Sequence, residues 1–483
     1  MASKFYDNYA TDGTVRSFIQ GDHTNPDTSA GLFFEYDKDG NIHAEHIATI
    51  TSGDVLWDIS YNINTDVLTS YNWTLPSLDF DNFVVLTPGD DTAPGGDGIR
   101  YSDKNDHIDA LAGNDVIYSV DGHDVIYGRE GNDDLSSAEG HSVIFGNEGD
   151  DHLYGGSGDD FLFGGAGHDV IHGGPDNDLI SGGLGDDNLV GGSGNDIIID
   201  LDGNNTVTGG PGDDYIILGD GNDMVYANEG QDIIHAGGGD DYVNDGGAGA
   251  DYGNPADDVI FGEDGNDRII VSTGNDVVYG GDGNDYISGS FFGYDGDDVL
   301  YGQGGSDELK GRGGNDKLFA DDPFSTDASA NDKLHGGDGD DLLVSGSGRD
   351  LLYGDSGNDL LVASPNGQAI MHGGDGHDTF AFLGLPEGKA HNIDDFTFGE
   401  DTINVSDILS GYDSATSDIN DFVRIFYRDA GRTDIKINAD GQGDDWTPLA
   451  VVHADFGGTS PGIMAHNGEL VADHKLFDTD WTS

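Results

Sequence analysis

The chain has no cysteine and only 18 lysines and arginines in 483 residues. Without thiols, disulfides and thiolate metal sites are closed to it, and an extracellular protein built this way needs another staple. So few cations exclude nucleic acid as a partner, because phosphate contacts are made by Lys and Arg. Anionic membranes are excluded as direct partners for the same reason, unless a cation bridges. No stretch of 18 apolar residues is available to span a bilayer. The opening MASKFYDNYATDG has no apolar run of the kind a secretory leader needs. If the protein is exported, its address is expected elsewhere.

What the chain has in excess is acid and glycine. There are 94 Asp and Glu, giving a formal charge of −76, and 81 Gly. Disorder alone does not fit, because hydrophobic residues make up 35% of the chain and sit in a regular pattern. A compact fold at this charge requires bound cations to relieve its self-repulsion.

The pattern has a period of nine. Taking the Asp that follows Gly-x, as in Gly113-Asn114-Asp115, the phase runs through Asp106, Asp115, Asp124, Asp133, Ser142, Asp151, Asp160, Asp169, Asp178, Asp187, Asp196, Asn205, Asp214, Asp223, Asp232 and Asp241. Two residues after each stands an apolar side chain, from Ile108 and Ile117 to Ile234 and Val243, without exception. The phase then slips and resumes at Asp258, Asp267, Asp276 and Asp285, at Asp298, Asp307 and Asp316, at Asp332, Asp341, Asp350 and Asp359, and at Asp378. Insertions at 290–295, 321–330 and 364–369 read as loops leaving a continuing solenoid.

Each window combines a turn, Gly-Gly-x-Gly-x-Asp, with a short strand centred on its apolar residue. Glycine admits the positive φ that a tight coil requires, and a three-residue strand presents its middle side chain to one face. Two windows make one turn of a flattened spiral, so the predicted fold is all-β: a parallel β-roll with an apolar core between two sheets and small β-domains at both ends. Odd windows should line one edge and even windows the other, which stacks Asp n under Asp n+18. Carboxylates at 4–5 Å repel by about 4 kcal/mol at an effective dielectric near 20, so neither column persists unpaired. A divalent ion between turns converts that repulsion into binding. Carboxylates and backbone carbonyls form an all-oxygen site that suits several Ca²⁺ ions better than Mg²⁺, which keeps its waters. The aspartates named above are therefore the candidate metal ligands; no catalytic set is expected. Ser142 and Asn205 bring no charge, and weaker or missing ions are expected beside them.

Gly155–Phe163, Gly164–His172 and Gly280–Ser288 (GGSGDDFLF, GGAGHDVIH, GGDGNDYIS) resemble the repeat-in-toxin (RTX), or hemolysin-type, nonapeptide, and the resemblance covers roughly 89–382. It implies a β-roll, calcium-induced folding outside the cell, and export by a bacterial type I system that reads an uncleaved C-terminal signal. The segment HNIDDFTFGEDTINVSDI, His391–Ile408, resembles the strand that follows the roll in RTX proteases and alginate epimerases. The front end departs from such enzymes, since only about 86 residues precede the roll.

The expected organisation is a small antiparallel β-domain over 1–86, a first roll block over 87–250, a second with insertions over 251–384, and a C-terminal cap and secretion-signal region over 385–483. Glu35, Asp37, Asp39 and Gly40 only faintly imitate a calcium loop, with His46 where a bidentate Glu belongs. His43-Ala-Glu-His46 is too short for a zinc-protease signature, and Gly458–Gly462 matches a nucleophile elbow as a string but not in context. The expected role is a non-enzymatic, secreted calcium-binding protein that assembles with its own copies into a surface layer, matrix or filament. The alternatives are an adhesin or carbohydrate-binding protein, with Trp57, Trp73 and Tyr71 as stacking residues and cell-surface polysaccharide as partner, and a polysaccharide-modifying enzyme or its accessory module.

Overall fold

A computed structural model describes residues 82–91, 99–100, 105–246, 256–289, 296–321, 330–397, 399–409, 421–429, 432–442 and 445–453, together with the backbone of six strands ahead of residue 72. Among the described residues every element is a strand except one 3-10 turn, Ser406–Ile408. The chain divides into two compact units, Met1–Asp220 and Gly221–Ser483.

The first unit opens with an antiparallel sheet of six strands in sequence order: Asn8–Tyr9, Val15–Gln20, Gly31–Tyr36, His46–Ser52, Val55–Asn62 and Val67–Tyr71. Beyond it the pairing becomes parallel. Val125–Glu130 pairs with Val143–Glu148, then Phe161–Ala166, Leu179–Leu184, Ile197–Asp202 and Tyr215–Asp220. The second sheet runs from Val116–Tyr118 through Asp134–Ser136, His152–Tyr154, Val170–Pro175 and Asn188–Ser193 to Thr206–Pro211. Each partner lies 18 residues on, as with Ile126↔Ile144 and Ile117↔Leu135, so two nonapeptides make one turn, as the sequence predicts.

The core follows from this register. The apolar residue two places after each column position is fully buried, from Ile108 to Ile216 in the first unit and from Val225 to Phe380 in the second. One such side chain per window, facing its counterpart across the roll, makes a thin core. On the outer sheet face, aromatic residues stack at the same register. Tyr127, Phe145 and Phe163 follow each other at 5.0 Å between centroids. In the second unit Phe261, Tyr279, Tyr301 and Phe319 do so at 5.0 and 4.8 Å. Stacked rings of this kind add to the burial each ring already provides.

The second unit keeps the roll through its insertions. The register step grows to 26 residues at Ile234↔Ile260, 22 at Val278↔Leu300 and 25 at Leu309↔Leu334, yet apolar residue still meets apolar residue. The sheets therefore resume in phase after each of these steps. The loop expected at 364–369 is not borne out along its whole length: Gly367–Asp375 is a strand, paired Gly348↔Gly367 and Leu352↔Met371, because the step there grows by one residue only and is absorbed within the ladder. The last parallel turn is closed by an antiparallel meander, Val423–Asp429, Arg432–Ile437 and Thr447–His453, whose final strand runs parallel to His391–Ile393.

Candidate metal centre

The turns hold the aspartates in two columns per unit. In the first unit the Asp106 N–H donates to Asp124 Oδ1 at 2.7 Å, and the same bond recurs from Asp160 to Asp178 and from Asp178 to Asp196, each at 2.8 Å. The other column contains Asp115, Asp133, Asp151, Asp169 and Asp187, linked by amide–carboxylate bonds of 2.6–2.8 Å. In the second unit one column joins Asp223, Asp241, Asp267, Asp285, Asp307, Asp332 and Asp350. The other joins Asp232, Asp258, Asp276, Asp298, Asp316, Asp341, Asp359 and Asp378. Windows that alternate in sequence thus separate onto different columns within each unit.

One oxygen of each carboxylate is spoken for by an amide. The other oxygen, Oδ2, is buried without a hydrogen-bond partner at Asp133, Asp151, Asp160, Asp169, Asp178 and Asp196, and again at Asp241, Asp267, Asp285, Asp307, Asp341 and Asp359. A glycine five residues upstream makes room for it at all of these but Asp241, where Ala236 holds that place. At Gly128 an added Cβ would collide with Asp133 Oδ2 and lie 2.9 Å from the Gly146 carbonyl oxygen. At Gly155 it would lie 2.6 Å from Asp160 Oδ2 and 2.7 Å from the Gly173 carbonyl oxygen. The cradle is thus lined by a carboxylate oxygen and a carbonyl oxygen from the next turn. The turn itself requires glycine two residues before the Asp: Gly131 has φ +131°, and a Cβ there would strike the Gly113 carbonyl oxygen.

Electrostatics show what such a cradle lacks. Burial pushes Asp178 up to about 9, the charges of Asp196 and Asp160 adding to it while the Asp160 amide offsets part. Burial likewise lifts Asp169 and Asp307 to about 8 and Asp133, Asp241, Asp285, Asp341 and Asp359 to about 7. A carboxylate that is buried, half-satisfied and crowded by its own kind calls for a proton or a cation. Buried carboxylate oxygens beside backbone carbonyls are hard donors, and the donor set fits calcium. The column aspartates and the cradle carbonyls would hold the ions, which supply the positive charge that keeps the turns together.

Sequence reasoning missed several members. Asp91 begins one column, its N–H donating to Asp115 Oδ1 at 2.6 Å, and Asp401 ends another by accepting the Asp378 N–H at 3.1 Å. Both carry the repeat's own signal, Gly89-Asp90-Asp91 and Gly399-Glu400-Asp401. Asp200, Asp245 and Asp321 are buried aspartates that stand out of phase. Burial together with the charges of Asp258 and Asp276 holds Asp245 well above the ordinary carboxylate range. Residues just before the column aspartates form a more open ladder of their own: Asn114 Oδ1 accepts the Asn132 N–H at 3.1 Å at an exposed rung, and His123 Nδ1 accepts the His141 N–H at 2.9 Å at a half-buried one. The side chains of Glu35, Asp37, Asp39, His43, His46, Trp57, Tyr71 and Trp73, and the segment 458–462, lie outside the described residues.

Comparison with protein families matches the RTX calcium-binding nonapeptide repeat, in overlapping stretches spanning 102–287 and again at 292–322 and 328–361. Comparison with curated proteins finds no match. The family's repeats are calcium-binding, and the number of windows here means several ions per chain. With more than half of its length matched to that repeat and both units wound as β-rolls, the chain belongs to the RTX calcium-binding nonapeptide-repeat family.

Proposed function

We propose that this RTX protein is a non-enzymatic structural component of the bacterial exterior. It is exported by a type I route, folded by external calcium, and assembled from its own copies as a surface layer, matrix or filament. The observation that carries this reading is the pairing of a −76 charge with rows of buried carboxylate oxygens that lack partners. Ion-free copies repel one another. Each Ca²⁺ taken up removes two units of that charge, and a surface brought near neutrality promotes association. The ion that folds each copy thus licenses contact between copies, and only where calcium is abundant. Extracellular modules take up calcium at roughly millimolar affinity, which confines assembly to the outside of the cell.

A glycan-binding role gains less support from the described residues. The aromatic ladders turn their ring faces to one another at interplanar angles of 2–12°. The faces a sugar would stack on are already covered. The test is light scattering of the purified chain across a calcium titration, with circular dichroism in parallel. The expected result is a monomer in chelator and ordered sheets or filaments in calcium of roughly 1–10 mM. A folded protein that stays monomeric throughout would overturn the assembly reading.

A further inference from the structure

The three out-of-phase aspartates share a circumstance. Each stands where the nine-residue phase fails to deliver its acid: Asp200 ahead of Asn205, Asp245 ahead of Ala250 and Asp321 ahead of Ser325. Their surroundings differ. Asp321 Oδ2 accepts the Ser347 N–H at 2.9 Å and the Ser347 hydroxyl at 3.0 Å. Asp245 is fully buried, and its carboxylate oxygens make no well-formed hydrogen bond, the Ser272 amide nearby offsetting only part of the cost of burial.

Asp245 is aimed at two column members. An oxygen from each of Asp245, Asp258 and Asp276 lies within 4.8 Å of the other two, and no other such trio occurs among the described residues. Asp258 and Asp276 are fixed by the column itself, accepting the amides of Asp232 at 2.7 Å and Asp258 at 2.9 Å. Asp245 is fixed by the sheet, since its N–H donates to the Ile270 carbonyl at 3.3 Å and its own carbonyl accepts the Asn228 N–H at 2.7 Å. The column bonds hold the Asp258 and Asp276 carboxylates in place, and Asp245, fully buried on a strand-paired main chain, has no exposure to water. Ordinary cradles pair the column carboxylate with glycine; here the glycine's place is taken by a third acid.

We propose that Asp245, Asp258 and Asp276 form a dedicated three-carboxylate site for a hard divalent cation, binding Ca²⁺ more tightly than the regular cradles of either column. Affinity at all-oxygen sites is set by ligand charge and rigidity, and this site gathers three carboxylates, two of them held by column amides. It sits where the nonapeptide phase is lost, so one strongly held ion secures the turn that the repeat leaves unsupported.

The experiment uses the full chain refolded in calcium and equilibrated in chelator-buffered solutions of falling free Ca²⁺, with bound calcium counted by mass spectrometry of the metal. Asp245→Asn removes the charge at constant shape. Asp245→Gly restores the residue that Gly128 and Gly146 supply in ordinary windows, and it decides the matter if the Asn variant fails to fold. Each variant is expected to lose one ion at the lowest free calcium at which the wild type still holds any. The half-saturation point of that ion should move upward roughly tenfold or more, with the remaining ions unchanged. Binding curves superimposable on the wild type, or loss confined to the weakest ions, would overturn the proposal and leave Asp245 a buried neutral acid.

Discussion

Asp200 and Asp187 converge on Gly182, where an added Cβ would collide with an Oδ2 from each. Asp200 occupies the place five residues ahead of the column that belongs to glycine in most windows, and the column residue of its own window is Asn205. The carboxylate has been moved across the cradle, not lost. Burial and the charge of Asp187 push Asp200 up to about 10, so the contact holds only with a proton or a cation between the two acids. An ion beside Asn205 is therefore expected after all, in place of the weak or missing one that the column alone suggests. Asp200→Gly should cost one bound Ca²⁺, and Asp200→Gly with Asn205→Asp should regain it. A single variant with the wild-type calcium count would mark Asp200 as a protonated acid.

Ser142 is different. The Ser119 hydroxyl donates to Asp124 Oδ2, the Ser137 and Ser142 hydroxyls lie 2.8 Å apart, and the Asp124 N–H reaches Ser142 Oγ at 3.3 Å. Hydroxyls stand here in both the aspartate and the glycine positions, and the carboxylate oxygen that would face an ion already has a donor. This turn should be held by hydrogen bonds and take no ion. Ser137→Gly with Ser142→Asp rebuilds the ordinary window and should raise the calcium count. An unchanged count in a folded variant would show that one window's chemistry does not decide its occupancy.

The contrast shows how much was legible in the sequence. The roll, its core and most column members were readable because each window repeats one backbone solution, so that Asp133 and its apolar partner Leu135 behave like every other such pair. Ser142 and Asn205 were visible as gaps, but what fills them was not. Asp200 and Asp245 interact with residues 13 to 31 positions away, through a cradle that exists only once the turns stack. An aspartate in the glycine column was the available signal, and it becomes meaningful only when the glycine is known to leave room for an oxygen.

The cradle glycines should therefore be intolerant of alanine for reasons of space. At Gly146 a Cβ would collide with Asp151 Oδ2 and lie 2.6 Å from the Gly164 carbonyl oxygen, neither of which can yield without opening the turn. Gly146→Ala should destabilise the calcium-loaded roll by about 1–3 kcal/mol, the usual cost of forcing atoms into a filled site. Gly388, with nothing within 4 Å of its would-be Cβ, provides the control. Denaturant midpoints in calcium compare the two. Equal stability would mean that the cradle relaxes freely.

The raised carboxylates set the direction of the pH response, and calcium should reverse it. In the ion-stripped fold, burial lifts Asp133 to about 7, Asp169 to about 8 and Asp178 to about 9, against about 3.9 in an unfolded chain. Between these values the native state binds more protons than the unfolded one, so stability must fall as pH rises. The contribution is complete below about pH 4 and disappears as pH climbs through roughly 7–9. Ion-stripped protein should thus be unfolded near pH 8 and recover β signal near pH 5.5, where protons stand in for the missing cations. Salt at about 1 M, with a Debye length of about 3 Å, should help only in part, because mobile ions screen charges through solvent and do not enter a buried column to separate its acids. With calcium present the sign inverts: protons compete with the ion for the same oxygens, and stability should rise from pH 5.5 to pH 8. Far-UV circular dichroism across that range, in chelator and in calcium, makes the comparison. Ion-stripped protein that gains structure with rising pH would mean that water reaches the columns once the ions leave, and the repulsion argument would fail with it.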